Sequence, residues 1–308
     1  RPATLTFGTG LLANIGFVQA MTAKFQFDRD CQIDNRDTVF VMDRDSHWSL
    51  WKATSHLKFG KQLFSFRHND PRDLEAVLAE LVARKVVVVF ESVYSSDGSI
   101  APIGAILDVC EKYGALSYCD DANGFLIYGE SNPRFADEFR HMSRATFVMV
   151  SFSKAVGLEG GAISGPQEYI GSFEILSGTS LFTAAIQPPT AATICQVINY
   201  LCNHPQVMEN YLARCDRFRQ RLMDLGFLLN PDPSYITSVL LGDDARAEAI
   251  RQELLNEGIC VPVFRYPAVR PNRAVMRLIL NDRHSEEDIE RFLASFMRIR
   301  DRHGLRAA

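Results

Sequence analysis

Two stretches decide the fold: Leu116-Ser117-Tyr118-Cys119-Asp120-Asp121-Ala122-Asn123, and further on Val148-Met149-Val150-Ser151-Phe152-Ser153-Lys154-Ala155. Each is a short apolar run that ends in polar, chemically capable side chains. Similar runs occur at Thr38 to Met42 and Lys85 to Phe90, and the second quoted run extends over Thr146 to Phe152. Helix-like segments lie between several of them. Ile103 to Tyr113 carries apolar residues at Ile103, Ile106, Leu107, Cys110 and Tyr113 and stops at Gly114, the spacing and terminator of a helix. Strand and helix in alternation predict an α/β fold with a mostly parallel sheet flanked by helices.

After Pro189 the pattern changes. Helical stretches run through Asn203 and from Gln206 to Leu225, and Gly226 with Pro231-Asp232-Pro233 then breaks the chain. The tail reads strand (Ile236 to Leu241), helix (Ala245 to Glu257), strand (Cys260 to Phe264), strand (Val275 to Leu280) and helix (Glu286 to Arg300). The expected organisation is a large domain over 1–203 and a small α+β C-terminal domain over 204–308.

At 308 residues, 47% hydrophobic and 23% charged, the chain is long enough for one large core and a smaller satellite. The net charge of -4 comes from interspersed charges, which argues against a nucleic-acid or membrane-surface partner. Nothing approaches the roughly 18 to 20 apolar residues a membrane-spanning helix needs. Seven cysteines (31, 110, 119, 195, 202, 215 and 260) show no metal-ligand or CxxC spacing, so reduced thiols, a cytoplasmic location and no metal are expected. The chain opens at Arg1 and is almost at once in Leu5-Thr6-Phe7-Gly8-Thr9-Gly10, which reads as the interior of a domain, so upstream sequence is expected.

In open parallel sheets, ligands bind beyond the carboxyl ends of the strands. Alone, a lysine there is a solvated surface group. Paired with a carboxylate it fits pyridoxal 5'-phosphate (PLP) chemistry: an amine for the Schiff base, and an anion facing the pyridine nitrogen to keep it protonated. Lys154 and Asp120, 34 residues apart, supply both.

With these two placed, nearly the whole chain resembles the α-oxoamine synthases of PLP fold type I. These include aminooxononanoate synthase, glycine C-acetyltransferase, serine palmitoyltransferase and the α-aminoketone autoinducer synthases. Phe7-Gly8-Thr9-Gly10-Leu11-Leu12-Ala13-Asn14 is similar to the family's F-x-S-G-F-x-A-N segment. About the first quarter of a typical member has no counterpart.

The resemblance implies roles residue by residue. His47, in Asp45-Ser46-His47-Trp48-Ser49-Leu50, matches the histidine that stacks on the cofactor ring. Ser95, 25 residues before Asp120, matches the serine near the ring's phenolic oxygen. Thr9, Gly10 and Leu11 resemble the phosphate cradle, which suits the outward N–H groups of a helix N-terminus. Ser151 matches a phosphate-contacting hydroxyl. Thr183 matches one that reaches the phosphate from the neighbouring subunit, which implies a homodimer. Arg277, seven residues before His284, matches the arginine that grips the amino acid's carboxylate two-pronged.

Two positions depart from the pattern. Asn123 stands where relatives carry histidine; its amide can donate to the phenolic oxygen but cannot take a proton. Trp48 stands where many relatives have alanine. The implied activity is condensation of an amino acid with an acyl thioester of CoA or a carrier protein, usually with CO₂ release, to give an α-aminoketone. The alternatives are another fold type I activity (aminotransferase, aldolase or lyase) and a silent partner subunit, against which Lys154 argues.

Overall fold

In the computed structural model of the chain, residues 2–26, 32–129, 134–266 and 269–305 are described. Cys31 and Arg1 lie outside them. Contacts divide the chain into two compact units, Arg1–Val93 with Ala101–Pro205, and Tyr94–Ile100 with Gln206–Ala308.

The first unit opens with β1 (Ala3–Phe7), α1 (Gly10–Thr22) and a small ribbon of β2 (Lys24–Gln26) and β3 (Gln32–Asp34). There follow β4 (Val39–Asp43), α2 (Trp48–Ala53), β5 (Leu63–Phe66), α3 (Pro71–Ala79), β6 (Val86–Glu91), α4 (Ile103–Tyr113) and β7 (Leu116–Asp120). A short α5 (Ala136–Phe139) runs into a 3-10 turn and then β8 (Phe147–Ser151), β9 (Gly161–Gly165), α6 (Gln167–Leu176), α7 (Gly178–Leu181) and α8 (Pro188–Asn203). The sheet order is β1-β9-β8-β7-β6-β4-β5. β5, β4, β6, β7 and β8 run parallel, and β9 is antiparallel to both its neighbours. The sheet is therefore mostly parallel, as expected.

Its central strands are continuous apolar runs because both faces are covered: every residue of β4 and β6 is buried. α1 crosses one face and plants Phe17 among Tyr118 (centroids 4.0 Å apart), Phe147 (5.0 Å) and Phe173 (5.7 Å). Full burial of such a ring contributes about 1.5–3 kcal/mol. α4 covers Ile103 to Tyr113 as its apolar spacing predicts, and Gly114 ends it at φ 64°, a left-handed position that costs glycine little.

One strand, β9, went unread, because its character is masked by glycines at 160, 161 and 165. One expectation needs correction. The strand expected over Cys260 to Phe264 pairs only at Val263–Phe264. Pro262 has no N–H to give the ladder, and only its carbonyl takes part, accepting from Arg277 N–H at 3.1 Å.

The second unit continues from α9 (Pro205–Asp224) through β10 (Ile236–Gly242), α10 (Asp244–Asn256), β11 (Val263–Phe264), β12 (Ala274–Ile279) and α11 (Glu286–His303). Its antiparallel sheet runs β10-β12-β11, and Phe227 stacks on Phe296 at 4.2 Å beneath it. α11 begins with a capping box in which Ser285 and Asp288 satisfy each other's backbone N–H.

Candidate active site

Parallel strands deliver their carboxyl ends to one edge of the sheet, and in the first unit the sequence places acids there. β4 ends in Asp43, β6 in Glu91 and β7 in Asp120, with Glu91 and Asp120 paired in register. Asp120 is 4% exposed. Its Oδ1 accepts from Ala122 N–H at 3.0 Å and its Oδ2 from Asn14 Nδ2 at 3.2 Å. Burial pushes its carboxyl up to about 6; the Ala122 and Asn14 hydrogen bonds and the charge of Lys154 pull the other way. β8, which leads into the Lys154 loop, pairs in parallel with β7 at Asp120↔Met149, so the two groups leave the same end of neighbouring strands, within electrostatic reach of each other. Asp121, buried beside it, is pushed up to about 7 by burial and by Asp120, against a 2.5 Å hydrogen bond from Ser92 Oγ.

Lys154 itself is exposed, on the loop joining β8 to β9. The loop is closed by Phe152 N–H to the Gly160 carbonyl (3.0 Å) and Leu158 N–H to the Phe152 carbonyl (3.0 Å). Beside it, Ser151 Oγ lies 2.9 Å from Ser153 Oγ. The start of α1 packs against this loop: Thr9 bridges Gly160, and a Cβ on Gly10 would meet Ser151 Cβ at 3.2 Å and Oγ at 3.3 Å. A Cβ on Gly161 would lie 2.9 Å from Gly10 Cα, so backbone meets backbone there and only glycine fits. Thr9 caps α1 by accepting from Leu12 N–H at 3.1 Å. The N–H groups of Gly10 and Leu11 belong to a first turn that has no intrahelical acceptor for them. Thr9, Gly10, Leu11 and Ser151 are thus brought together.

His47 follows β4 and opens α2. Its N–H donates to Glu91 Oε1, and its Nδ1 receives Ser49 N–H at 3.2 Å with Ser49 Oγ at 2.7 Å. Asn123, 4% exposed, donates from Nδ2 to the Val93 carbonyl at 3.3 Å. Thr183 lies just past α7, donating its hydroxyl to the Thr179 carbonyl at 2.7 Å. Trp48 is 65% exposed, with Lys52 Nζ 5.9 Å from its ring centre.

Ser95 and Arg277 belong to the second unit, where they touch: Arg277 Nη1 donates to the Ser95 carbonyl at 2.7 Å. The guanidinium lies 4.8 Å over the Phe264 ring, and burial lowers its pKa. Its Nε is buried and has no protein partner among the described residues, so a donor remains for an anion.

The donor set fits PLP. An exposed amine stands near a buried carboxylate, and a helix N-terminus with an adjacent hydroxyl offers what a phosphate needs. No group of three or more His, Cys, Asp or Glu able to hold a metal occurs among the described residues, and no described helix is long and apolar enough to cross a membrane.

Residues 2–296 match the family described as aminotransferase class I and II. An 8-amino-7-oxononanoate synthase of Thermoanaerobacter pseudethanolicus is 30% identical over 299 residues, 96% of this chain and 72% of that protein. The chain belongs to the α-oxoamine synthases of this family. The synthase fold superposes on a Sphingomonas wittichii serine palmitoyltransferase with a TM-score of 0.85 at 29% identity, covering 98% of this chain and 73% of that one. A second serine palmitoyltransferase, described as carrying PLP as its internal aldimine, matches with a TM-score of 0.85 at 27% identity and the same coverage.

The roles of two residues escaped the sequence reading. Asn14 and Ser49 are hydrogen-bonded to the site's principal groups, yet each sits in a helix among apolar neighbours and reads as core. The available signal was a buried amide inside α1, an otherwise apolar helix.

The two raised carboxyls imply a pH effect on stability. In the unfolded chain both titrate near 3.8; in the folded chain they keep their protons to about 6 and about 7. The folded state therefore binds more protons across that window, and stability falls as pH rises through it, then levels off. At about 1.4 kcal/mol per unit the effect is on the order of a few kcal/mol. Thermal melts of cofactor-free protein between pH 4 and 8 are expected to show a shallower decline for Asp121→Asn than for the native chain. Parallel curves for the two would refute this.

Proposed function

We propose that the synthase condenses an amino acid with an acyl thioester of CoA or a carrier protein, releasing the thiol and in the usual case CO₂, to give an α-aminoketone. The observation that carries this reading is the buried Asp120 carboxylate, held by Asn14 and Ala122, within electrostatic reach of Lys154. When bound, PLP supplies an electrophilic aldehyde carbon and an electron-poor ring that takes up the electron pair left on the substrate's α-carbon.

The chain's residues do the rest. Lys154 Nζ would hold the cofactor covalently and, once released from it, would serve as the base that takes the α-proton. Asp120 keeps the pyridine nitrogen protonated, and its burial strengthens that charge pairing. His47 would stack on the cofactor ring, while Asn123 and Ser95 would serve its phenolic oxygen. Gly10 and Leu11 N–H with the Thr9 and Ser151 hydroxyls hold the phosphate. Arg277, with Nε unspent, grips the amino acid's carboxylate. The α-carbon then bonds to the thioester carbonyl carbon and the thiol leaves.

The working form is a homodimer in the cytoplasm, with Thr183 of one subunit directed to the phosphate of the other. The exposed side chains Leu181 (58%) and Phe182 (82%) beside Thr183 support a covered surface there. For Thr183 to donate to phosphate, its hydroxyl must turn from the Thr179 carbonyl. The domain division expected at 203/204 is kept in this reading.

The test is thiol release and product mass across a panel of acyl thioesters and amino acids. A product heavier than the amino acid by the acyl group, less the one hydrogen that leaves on the thiol and less CO₂ where that is lost, is expected. Arg277→Lys in the same assay should raise the KM for the amino acid roughly 10-fold or more with kcat less affected, because a point charge replaces a fork. Conversion to a pyridoxamine form with amino acid alone, and no thiol release from any donor, would overturn the proposal in favour of transamination.

A further inference from the structure

A continuous chain of polar contacts runs through the first unit, buried from Tyr118 to Ser49 and reaching the exposed His47. The Tyr118 hydroxyl donates to Asn14 Oδ1 at 2.6 Å. Asn14 Nδ2 lies 2.9 Å from Ser49 Oγ and 3.2 Å from Asp120 Oδ2. Ser49 Oγ is 2.7 Å from His47 Nδ1, which also receives Ser49 N–H. Tyr118 is 0% exposed, Asn14 1% and Ser49 6%, so water does not compete for the contacts that Asn14 makes; His47, at the end of the chain, is exposed.

Which way each contact donates can be worked out from one end. An ionised Asp120 only accepts, so the Asn14 amide must turn its NH₂ to it, which leaves Oδ1 facing Tyr118 and makes the phenol the donor. The same NH₂ has its second proton for Ser49 Oγ. Ser49, accepting there, directs its own O–H to His47 Nδ1. Nδ1 is then an acceptor of both the Ser49 hydroxyl and the Ser49 N–H, which leaves the single ring proton of a neutral imidazole on Nε2.

We propose that Asn14 is a positioning residue that orients the Asp120 carboxylate and, through Ser49, fixes His47 as the neutral Nε2–H tautomer, so that the two groups assigned to the cofactor ring are set by one amide. The inference rests on the placement of PLP proposed above. Asn14 and Ser49 touch neither reacting atoms nor the position proposed for the substrate; their effect passes through Asp120 and His47.

The test uses full-length holoenzyme carrying ¹⁵N-histidine and PLP labelled with ¹⁵N in its ring. The His47 signals are assigned by their loss in His47→Gln. In the native enzyme, His47 is expected to show an unprotonated Nδ1 and a protonated Nε2. Ser49→Ala should disturb that pattern and leave the PLP ring nitrogen where it was. Asn14→Ala should disturb both and weaken PLP binding about tenfold, the size expected when a buried charge-assisted hydrogen bond is removed. Tyr118→Phe keeps the ring's packing while freeing the amide, and should shift both signals in the same sense; it decides the matter if Asn14→Ala does not fold. A native His47 protonated on Nδ1, or both signals unmoved in Tyr118→Phe and Asn14→Ala, overturns the inference while the cofactor assignment stands. A native enzyme with no PLP bound overturns both.

Discussion

Lys154→Ala is expected to lose the visible absorbance band that borohydride fixes to the native enzyme, and to lose turnover by at least about 10²- to 10⁴-fold, the share that proton transfer alone contributes. Alanine removes both the amine that joins the cofactor and the base that takes the α-proton, so the two losses arrive together. The loop around Lys154 is closed by backbone hydrogen bonds at Phe152, Leu158 and Gly160, none of which involves the lysine side chain. The fold should survive the change, and the melting temperature should confirm that. Adding a small primary amine should restore part of the proton transfer, while borohydride still leaves no cofactor attached to the protein. Borohydride reduction followed by peptide mass analysis identifies the attachment point. Attachment at any other lysine, or turnover within tenfold of native, would remove the basis of the functional reading.

Asp120→Asn is nearly isosteric and is expected to lower kcat by roughly 10²- to 10³-fold, the size seen when a preorganised electrostatic contact to developing charge is removed. The covalent link through Lys154 should remain, so the enzyme stays coloured but slow. Without the anion the pyridine nitrogen is no longer held protonated, and the electron pair on the α-carbon is less well received. The two variants are therefore separable: one loses the attachment, the other keeps it and loses the driving charge. Kinetics together with the ring-nitrogen signal of labelled PLP would check the second. A kcat within a few-fold of native would show that Asp120 is a structural acid.

The sequence made the central strands and the Asp120 and Lys154 pair legible because each is a continuous apolar run followed by a side chain out of place in a core. The strands that escaped notice did so for physical reasons. β9 is built around glycines, which carry no side chain to show the alternation a strand is recognised by. β1 alternates between half-buried and exposed until Phe7 and lies at the sheet's edge. Ser95 to Ile100 lies between two segments of the first unit, yet its contacts belong with the C-terminal residues: Ile100 N–H donates to Asp232, and Ser234 to the Gly98 carbonyl. No local pattern encodes a partner more than a hundred positions away. The parts played by Asn14 and Ser49 were hidden because a polar residue satisfied inside a buried helix face looks, in one dimension, like an ordinary member of it.

The antiparallel return of β9 bears on the order in which the protein can be made. β1 pairs with β9 along Ala3↔Gly165 to Phe7↔Gly161, and the same closure sets Gly10 against Gly161. On the ribosome the first strand must wait, its ladder groups open, until the return strand through Gly165 has emerged. The anion seat proposed at the head of α1 would thus be among the last parts of this unit to be completed, since a nascent chain halted before that point holds every residue of Thr9 to Leu11 without the strand they pack against.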